Sequence, residues 1–120
     1  MYSAELLDHF RNPRNVGDIA DADATAQIEN PGCGDVIRLS LKLDGSRIVD
    51  VRFKAKGCVP AMACASALTQ LVRGRTVQDA KLIGREDVAS IVGGLPTASA
   101  HAAQIALDAL AAALAQITNK

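Results

Sequence analysis

Apolar and polar residues alternate along the middle of the chain from Ile37 to Leu43, which is the pattern of a half-buried strand. Residues 44–47 follow with an Asp-Gly pair, typical of a tight hairpin turn because glycine readily adopts a positive φ. Alternation resumes over residues 48–56. The pattern predicts two antiparallel strands joined by this turn. One face of the returning strand is predicted to carry Val49, Val51, Phe53 and Ala55.

Helical periodicity flanks the hairpin on both sides. Residues 3–10 predict a short opening helix with Ser3 as its N-cap, and Pro13 disfavours its continuation. Residues 18–24 are interpreted as a polar connector, and residues 25–30 as a lead into the following turn. From Pro60, expected as the first residue of a helix, the chain is predicted to be helical to its end. Glycines at 74, 84 and 93–94 divide this part into four helices. The last helix is predicted to start near Thr97 or Ser99. Its apolar stripe consists of Ile105, Ala109 or Leu110, Ala113 or Leu114, and Ile117.

This order of elements predicts an α+β fold, in which a small antiparallel β-sheet packs against helices. A length of 120 residues is that of one domain, so residues 1–120 are expected to share one core. Apolar residues make up 49% of the chain and aromatic residues only 2%, so Ala, Val, Leu and Ile must build that core.

The charge and hydropathy of the chain argue against nucleic acid and membranes as partners. The net charge is zero and the Lys and Arg residues are scattered singly, so nucleic acid is not expected as a partner. The N-terminus lacks the apolar stretch of a signal peptide, and no uninterrupted apolar run reaches the ~18 residues of a membrane span. We therefore expect a cytoplasmic protein that does not bind a membrane.

The three cysteines are an odd number, which in a reducing compartment favours core residues, metal ligands or reactive thiols over disulfides. Cys33 lies between two glycines before the first strand, and Cys58 follows Gly57 where the second strand gives way to a helix. Both are therefore predicted at the open end of the hairpin. Glycine flanks and a helix N-terminus favour exposed, ionisable thiols at these positions.

Asp35 and His101 complete a set of four donors with Cys33 and Cys58. Their number and type suit tetrahedral zinc, a ferrous ion or an iron–sulfur site. Their spacing matches no familiar zinc motif, so the residues alone also allow an Asx-turn at Asp35 and a surface or capping role for His101. Other candidate residues have plainer interpretations: Cys64 is expected to be a buried structural thiol on the inner stripe of its helix, and His9 to be solvated on a charged helix face.

Several ordered segments together resemble the IscU/NifU-like iron–sulfur cluster assembly scaffolds, from Tyr2 to about Ile117. They are "YS" at 2, "DHFRNPRNVG" at 8–17, "NPGCGD" at 30–35, "VRFKAKGC" at 51–58, "LP" at 95 and His101. The resemblance implies the same α+β domain and a metal or cluster site at one exposed end. It also implies that Cys33, Asp35, Cys58 and His101 hold the metal or cluster.

The function implied by the resemblance is that of a scaffold or carrier rather than an enzyme. Sulfur from a cysteine desulfurase and iron would form a transient [2Fe-2S] cluster, which recipient apo-proteins would accept. The oxygen ligand Asp35 would keep a soft cluster exchangeable.

The chain departs from the family pattern where members carry Lys-x-His-Cys, because it reads "SAHA" with Ser99 and Ala102 at the lysine and third-cysteine positions. The chaperone-binding "LPPVK" segment is likewise reduced to "LPTAS" at 95–99. Three repairs of the site are open: Cys64 substitutes, a second subunit in a homodimer completes it, or the four donors hold zinc. Two other functions also remain open: a zinc-binding degenerate homologue that acts as a regulator or sulfur acceptor, and a redox protein in which Cys33 and Cys58 cycle through a disulfide.

Overall fold

The computed structural model describes residues 2–30 and 34–118. It contains a three-stranded antiparallel sheet, five α-helices and one 3-10 turn at Thr97–Ser99, within the described residues. The strands are β1 (Ala24–Asn30), β2 (Asp35–Asp44) and β3 (Arg47–Lys56). The helices are α1 (Ala4–Arg11), α2 (Val59–Val72), α3 (Val77–Ala80), α4 (Arg85–Ile91) and α5 (Ala100–Thr118).

The sheet has the order β1-β2-β3, so the predicted hairpin of β2 and β3 is confirmed but carries one more strand than expected. Residues 25–30, interpreted as a lead into a turn, belong to β1, which pairs with β2 from Ala24 opposite Leu41 to Asn30 opposite Asp35. The core face of β1 carries Ala24 and Ala26. Such small side chains give a weak apolar signal, which explains the missed strand.

A β-bulge interrupts the pairing of β2 with β3. Lys42 lies opposite Asp50, but the next residue, Leu43, lies opposite Ile48. Val49 is therefore the extra residue and is exposed, while Ile48 is fully buried. The predicted apolar face containing Val49 is wrong at this position, because a bulge reverses the alternation of side chains on its strand.

The core lies between one face of the sheet and the helices, with α2 and α5 both packed against strands and against each other. It is built almost entirely from aliphatic and alanine side chains, as the composition predicts. Strands β2 and β3 contribute fully or nearly fully buried residues, and the long helices contribute rows of alanines between larger residues. The largest fully buried apolar side chains are Leu6, Ile37, Leu39, Leu41, Ile48, Leu68, Val51, Val72, Val88 and Val92.

Local signals fix several helix starts. Ser3 is the N-cap of α1, as predicted, and its hydroxyl accepts a 2.9 Å hydrogen bond from the amide of Leu6. Pro60 is the second residue of α2 rather than the first, because Cys58 is the N-cap. The helix predicted between Gly74 and Gly84 is confined to Val77–Ala80. A 3-10 turn precedes α5, which begins at Ala100.

The prediction that His9 is solvated is wrong. The side chain is only 4% exposed, and its Nδ1 atom lies 2.8 Å from the hydroxyl of Ser66 on α2. The backbone amide of Arg14 donates to the same hydroxyl at 2.9 Å. His9 therefore fixes α1 against α2.

The α5 segment Ala100–Ile117 is long and apolar enough to span a bilayer by length and composition, with a mean hydropathy of 1.3. Buried residues make up 44% of this segment, and α5 packs along β1 and α2. Core helices of soluble proteins meet the same criterion, so the segment is weak support for a membrane span.

Candidate metal centre

Three of the four predicted donors meet at the open end of the β2–β3 hairpin. Asp35 is the first residue of β2, Cys58 follows β3 as the N-cap of α2, and His101 is the second residue of α5. One ligand atom from each of the three lies within 4.8 Å of the other two. Residues distant in sequence are thus brought to one point by the sheet and two helix starts.

The two carboxylate oxygens of Asp35 have different surroundings. Oδ1 accepts a 2.9 Å hydrogen bond from the backbone amide of Cys58. Oδ2 lies 3.7 Å from the Cys58 Sγ atom and 3.7 Å from Nε2 of His101. One oxygen is therefore anchored to the backbone, while the other is directed towards the thiol and the imidazole.

Gly57 makes this arrangement sterically feasible. Its φ is +141°, and a Cβ atom added there would overlap Oδ1 of Asp35 and lie 2.9 Å from the Asp35 Cα. Atoms of a real side chain do not approach backbone that closely. The residue before Cys58 must therefore be glycine for Asp35 to reach the Cys58 amide.

Two of the three donor spacings are close to those around a metal ion. Metal bonds to sulfur, nitrogen and oxygen are about 2.0–2.3 Å long, so tetrahedral donors lie roughly 3.4–3.6 Å apart. The two contacts to Oδ2, both 3.7 Å, are close to that spacing, and the Cys58 sulfur lies within 4.8 Å of a nitrogen of the His101 ring. A thiolate, an imidazole and a carboxylate are together a common donor set for zinc and for iron.

The exposure of the donors is graded. The Asp35 side chain has no exposed surface, Cys58 is half-buried, and the His101 side chain is 40% exposed. The position of Cys58 at the N-terminus of α2 also places its sulfur at the positive end of the helix dipole, which favours a thiolate. Asp35 therefore lies on the buried side of the centre, and solvent has access to the centre from the side of His101.

Of the other sequence-predicted residues, Cys33 lies outside the described residues. Cys64 is fully buried, as predicted, and burial, with a smaller contribution from Cys58, raises the pKa of its thiol to about 12. Ala102, at the third-cysteine position of the family pattern, is fully buried beside His101, and Ser99 is buried in the preceding turn. Because Cys64 is buried and protonated, its substitution for the missing third cysteine is not favoured.

Sequence reasoning included Gly57 only as the end of a strand and missed its part in the centre. The contact between Gly57 and Asp35 depends on strands that run side by side, which residue spacing along the chain does not reveal. The Gly57-Cys58 pair just before a helix with proline in its first turn is the local signal that could have indicated a close backbone approach.

The amino-acid sequence matches one protein family and several of its named members. Residues 1–120 match the family model described as the NifU-like N terminal domain. An iron–sulfur cluster assembly scaffold protein IscU of Archaeoglobus fulgidus is 42% identical over 120 residues, which are 100% of this chain and 78% of that protein. The IscU scaffold of Escherichia coli K12 is 37% identical over 123 residues, covering 99% of this chain and 95% of the relative.

Solved structures share the fold. A NifU-like protein (N-terminal) from Brucella abortus superposes with a TM-score of 0.81 at 22% identity, covering 98% of this chain and 94% of that one. A putative iron–sulfur cluster assembly scaffold for the SUF system from Fervidobacterium islandicum AW-1 has a TM-score of 0.80 at 23% identity, covering 94% and 96%. At this level of identity the likeness establishes the fold.

The class that emerges is that of scaffold proteins, which are not enzymes. The chain belongs to the IscU/NifU-like family, defined by the NifU-like N-terminal domain over its full length. The family resemblance seen in the sequence and the α+β fold are thereby confirmed.

Proposed function

We propose that this chain is an iron–sulfur cluster assembly scaffold that builds a labile [2Fe-2S] cluster on Asp35, Cys58, His101 and Cys33. The observation that carries the proposal is the convergence of a carboxylate, a thiol and an imidazole within 4.8 Å at the end of the hairpin. The cluster is cargo: it is assembled from iron and sulfur, and then passed on.

The geometry also supports lability. Oδ1 of Asp35 is engaged by the Cys58 amide at 2.9 Å, so only Oδ2 is available to the cargo. One hard oxygen donor binds a soft iron–sulfur core less tightly than a thiolate does. With the more exposed His101 on the outer side, the cargo is held by ligands of unequal strength and has an open route to an acceptor.

The partners that follow are a cysteine desulfurase as the sulfur source and apo-proteins as recipients, and cytoplasm is the compartment that suits exposed thiols. These partners come from the family, whose named relatives are assembly scaffolds. A homodimer is a further option, because a second subunit could supply the thiolate that Ala102 does not.

Anaerobic reconstitution tests the proposal. The purified protein is mixed with ferrous iron, cysteine and a cysteine desulfurase, and visible absorbance and circular dichroism are followed. We expect cluster bands that disappear when a chelator or apo-ferredoxin is added. Cys58→Ser should abolish them, whereas Cys64→Ala, which changes a buried thiol away from the centre, should not. Equal bands from Cys58→Ser and the parent protein would contradict the assignment.

A second candidate function is that of a zinc-binding degenerate homologue, acting as a regulator or sulfur acceptor. The alanine at position 102 favours it, since a site with one soft donor fewer is better suited to a borderline metal. Protein purified without chelator would then carry about one zinc per chain. Protein that is purified without metal and forms a Cys33–Cys58 disulfide on mild oxidation would instead indicate a thiol redox protein.

A further inference from the structure

The two edges of the sheet are protected to different degrees. On β3, the amide of Phe53 donates to the carbonyl of Asn15 at 2.9 Å, and the amide of Gly17 donates to the carbonyl of Phe53 at 2.8 Å. Further along, Ile48 bonds Arg75 and Gly74 in the same way, both at 2.8 Å. Neighbouring segments of the chain therefore occupy much of the outer edge of β3.

The edge of β1 is covered at one end only. The side-chain amide of Gln116 on α5 accepts a 3.1 Å hydrogen bond from the backbone amide of Thr25 and donates to the carbonyl of Thr25 at 2.6 Å. This pair of bonds imitates a neighbouring strand. It also shows that the backbone groups of Thr25 point away from β2.

Because backbone groups alternate along a strand, those of Gln27 and Glu29 must point outwards as well. The opposite edge gives the same result independently. Phe53 bonds outwards from β3, its partner Leu39 must therefore bond towards β1, and Ala26 opposite Leu39 bonds inwards. Within residues 2–30 and 34–118, the outward amide and carbonyl groups of Gln27 and Glu29 have no hydrogen-bond partner.

A groove lies beside this open edge and extends to the metal centre. Its volume is about 230 Å³; Ile28 and Ile105 contribute apolar surface, and Gln104, Asp108 and His101 contribute polar groups. Asp108 supplies a carboxylate to the groove, whereas the side chain of Glu29 alternates with Ile28 and lies with Gln27 on the opposite face of the sheet. Long cationic side chains suit such a site, since their aliphatic stems cover apolar surface while their charged ends reach carboxylates.

We propose that β1 is a docking edge for an extended, cationic segment of a partner protein. The segment adds a fourth strand through the backbone of Gln27 and Glu29, and it places a Lys or Arg side chain in the groove against Asp108. One end of the added strand then lies beside His101. The edge is an interaction surface whatever the metal centre holds, so the inference stands apart from the proposed function.

A second copy of the chain fits the edge less well than such a partner. Gln116 occupies Thr25, which leaves only Gln27 and Glu29 for pairing with any added strand. Strand β1 itself carries no Lys or Arg, so a second β1 edge would offer no cationic side chain to Asp108 in the groove. A segment that contains Lys or Arg supplies that charge.

The probe is a six-residue peptide, acetylated and amidated, in which valine and lysine alternate. We expect amide chemical shifts of Gln27 and Glu29 to move on titration and their hydrogen exchange to slow. Gln27→Pro removes one outward donor while leaving the β1–β2 ladder intact, because proline is tolerated on the outer side of an edge strand. It should weaken binding about five- to tenfold, as expected for a lost hydrogen bond.

Matched variants separate the backbone from the side chains. Gln27→Ala keeps the amide and should bind like the parent protein. Gln116→Ala frees the backbone of Thr25, lengthens the open edge and should strengthen binding. Asp108→Asn should weaken binding of the lysine peptide, and a peptide with glutamate in place of lysine should bind more weakly than the lysine peptide.

Three results would overturn the proposal. The first is peptide binding that leaves Gln27 and Glu29 unchanged in shift and exchange, a measurement that needs no variant and is valid even if Gln27→Pro does not fold. The second is equal affinity of folded Gln27→Pro and Gln27→Ala. The third is a dimer, detected by light scattering without peptide, that Gln27→Pro dissociates, since the edge would then belong to a second copy.

Discussion

The backbone amide of Cys58 donates a 2.9 Å hydrogen bond to Oδ1 of Asp35 across the open end of the hairpin. This bond joins the first residue of β2 to the N-cap of α2, so the two donors of the centre hold each other in place. The bond also occupies Oδ1, so that Oδ2 is the Asp35 oxygen left to face the thiol and the imidazole. Substitutions that disturb the pair should therefore affect metal binding before they affect the rest of the fold.

Gly57→Ala should disrupt the centre, because the added Cβ would overlap Oδ1 of Asp35. We expect cluster yield in anaerobic reconstitution, or zinc content after purification, to fall at least tenfold, roughly the effect of losing a ligand's support. Gly17→Ala is the matched control, since its φ of +130° is similarly strained but no described atom lies within 4 Å of the added Cβ. Equal losses in the two variants would show that backbone strain alone is responsible.

Ala102→Cys should restore a thiolate next to His101 and slow removal of the cluster by a chelator. The cost is crowding, because Ala102 is fully buried and larger residues in packed cores cost about 1–3 kcal/mol. Ala102→Ser has nearly the same size without the soft donor, so it controls for crowding. Chelator kinetics that are the same for the serine and cysteine variants would contradict a ligand role at this position.

Cys64 should resist alkylation in the native state. Burial raises the pKa of its thiol to about 12, so at pH 8 only about one molecule in 10⁴ carries the reactive thiolate, and the side chain is fully enclosed. Iodoacetamide labelling followed by peptide mass spectrometry should find Cys64 modified only after denaturant is added. Rapid native labelling would indicate that this thiol is accessible and would revive it as a ligand.

Stability should fall on mild acidification through His9. Burial, and then the charge of Arg14, lower the pKa of His9 below its ordinary value of 6.5, while Asp8 acts in the opposite sense. The unfolded chain therefore takes up this proton at a higher pH than the folded chain. The contribution of His9 to the free energy of unfolding is complete above pH 6.5 and is lost as pH falls towards the lowered pKa of the folded state, by at most about 1.4 kcal/mol per pH unit.

Urea unfolding between pH 7.5 and 5.5 measures this effect. His9→Gln retains a polar group that can bond Ser66 but takes up no proton, so its unfolding free energy should depend less on pH than that of the parent protein. Parallel pH profiles for the two proteins would mean that His9 is not the group responsible.

Ser3→Ala should lower the free energy of unfolding by about 1 kcal/mol, the usual cost of a lost N-cap. The Ser3 hydroxyl accepts from the amide of Leu6 and donates to the carbonyl of Val92, which ties the start of α1 to the end of α4. Ser3→Asp is the control, since it can still cap the helix but cannot donate to Val92. Its stability should therefore lie between those of the parent and Ser3→Ala, and urea unfolding at constant pH compares the three.

The sequence alone predicted the hairpin and most helices, because those features have local signals. It also named four candidate donors, of which the structure brings Asp35, Cys58 and His101 together. The Asp-Gly turn, the alternation after Asp35 and the serine before α1 each act over a few residues. The convergence of Asp35, Cys58 and His101 was predicted in part from the hairpin, since both strand ends must lie together, but the position of His101 depended on the family resemblance.

The errors occurred where tertiary contacts decide the outcome. His9 lies among charged neighbours on α1, and only its pairing with Ser66 on another helix explains its burial. Val49 follows the alternating pattern but is displaced by a bulge that depends on the partner strand. The strand β1 was missed because its core-facing alanines carry little hydrophobic signal, and its pairing with β2 gives it structure.

The three described donors of the centre come from parts of the chain that the fold joins only at its end: the start of a strand, the start of the second helix and the start of the last helix. His101 reaches Asp35 only while α5 rests on the sheet. The same helix buries Ile105, Leu110 and Leu114 in the core, so the packing that stabilises the fold also holds His101 against Asp35. Assembly of this three-residue arrangement is therefore coupled to completion of the core.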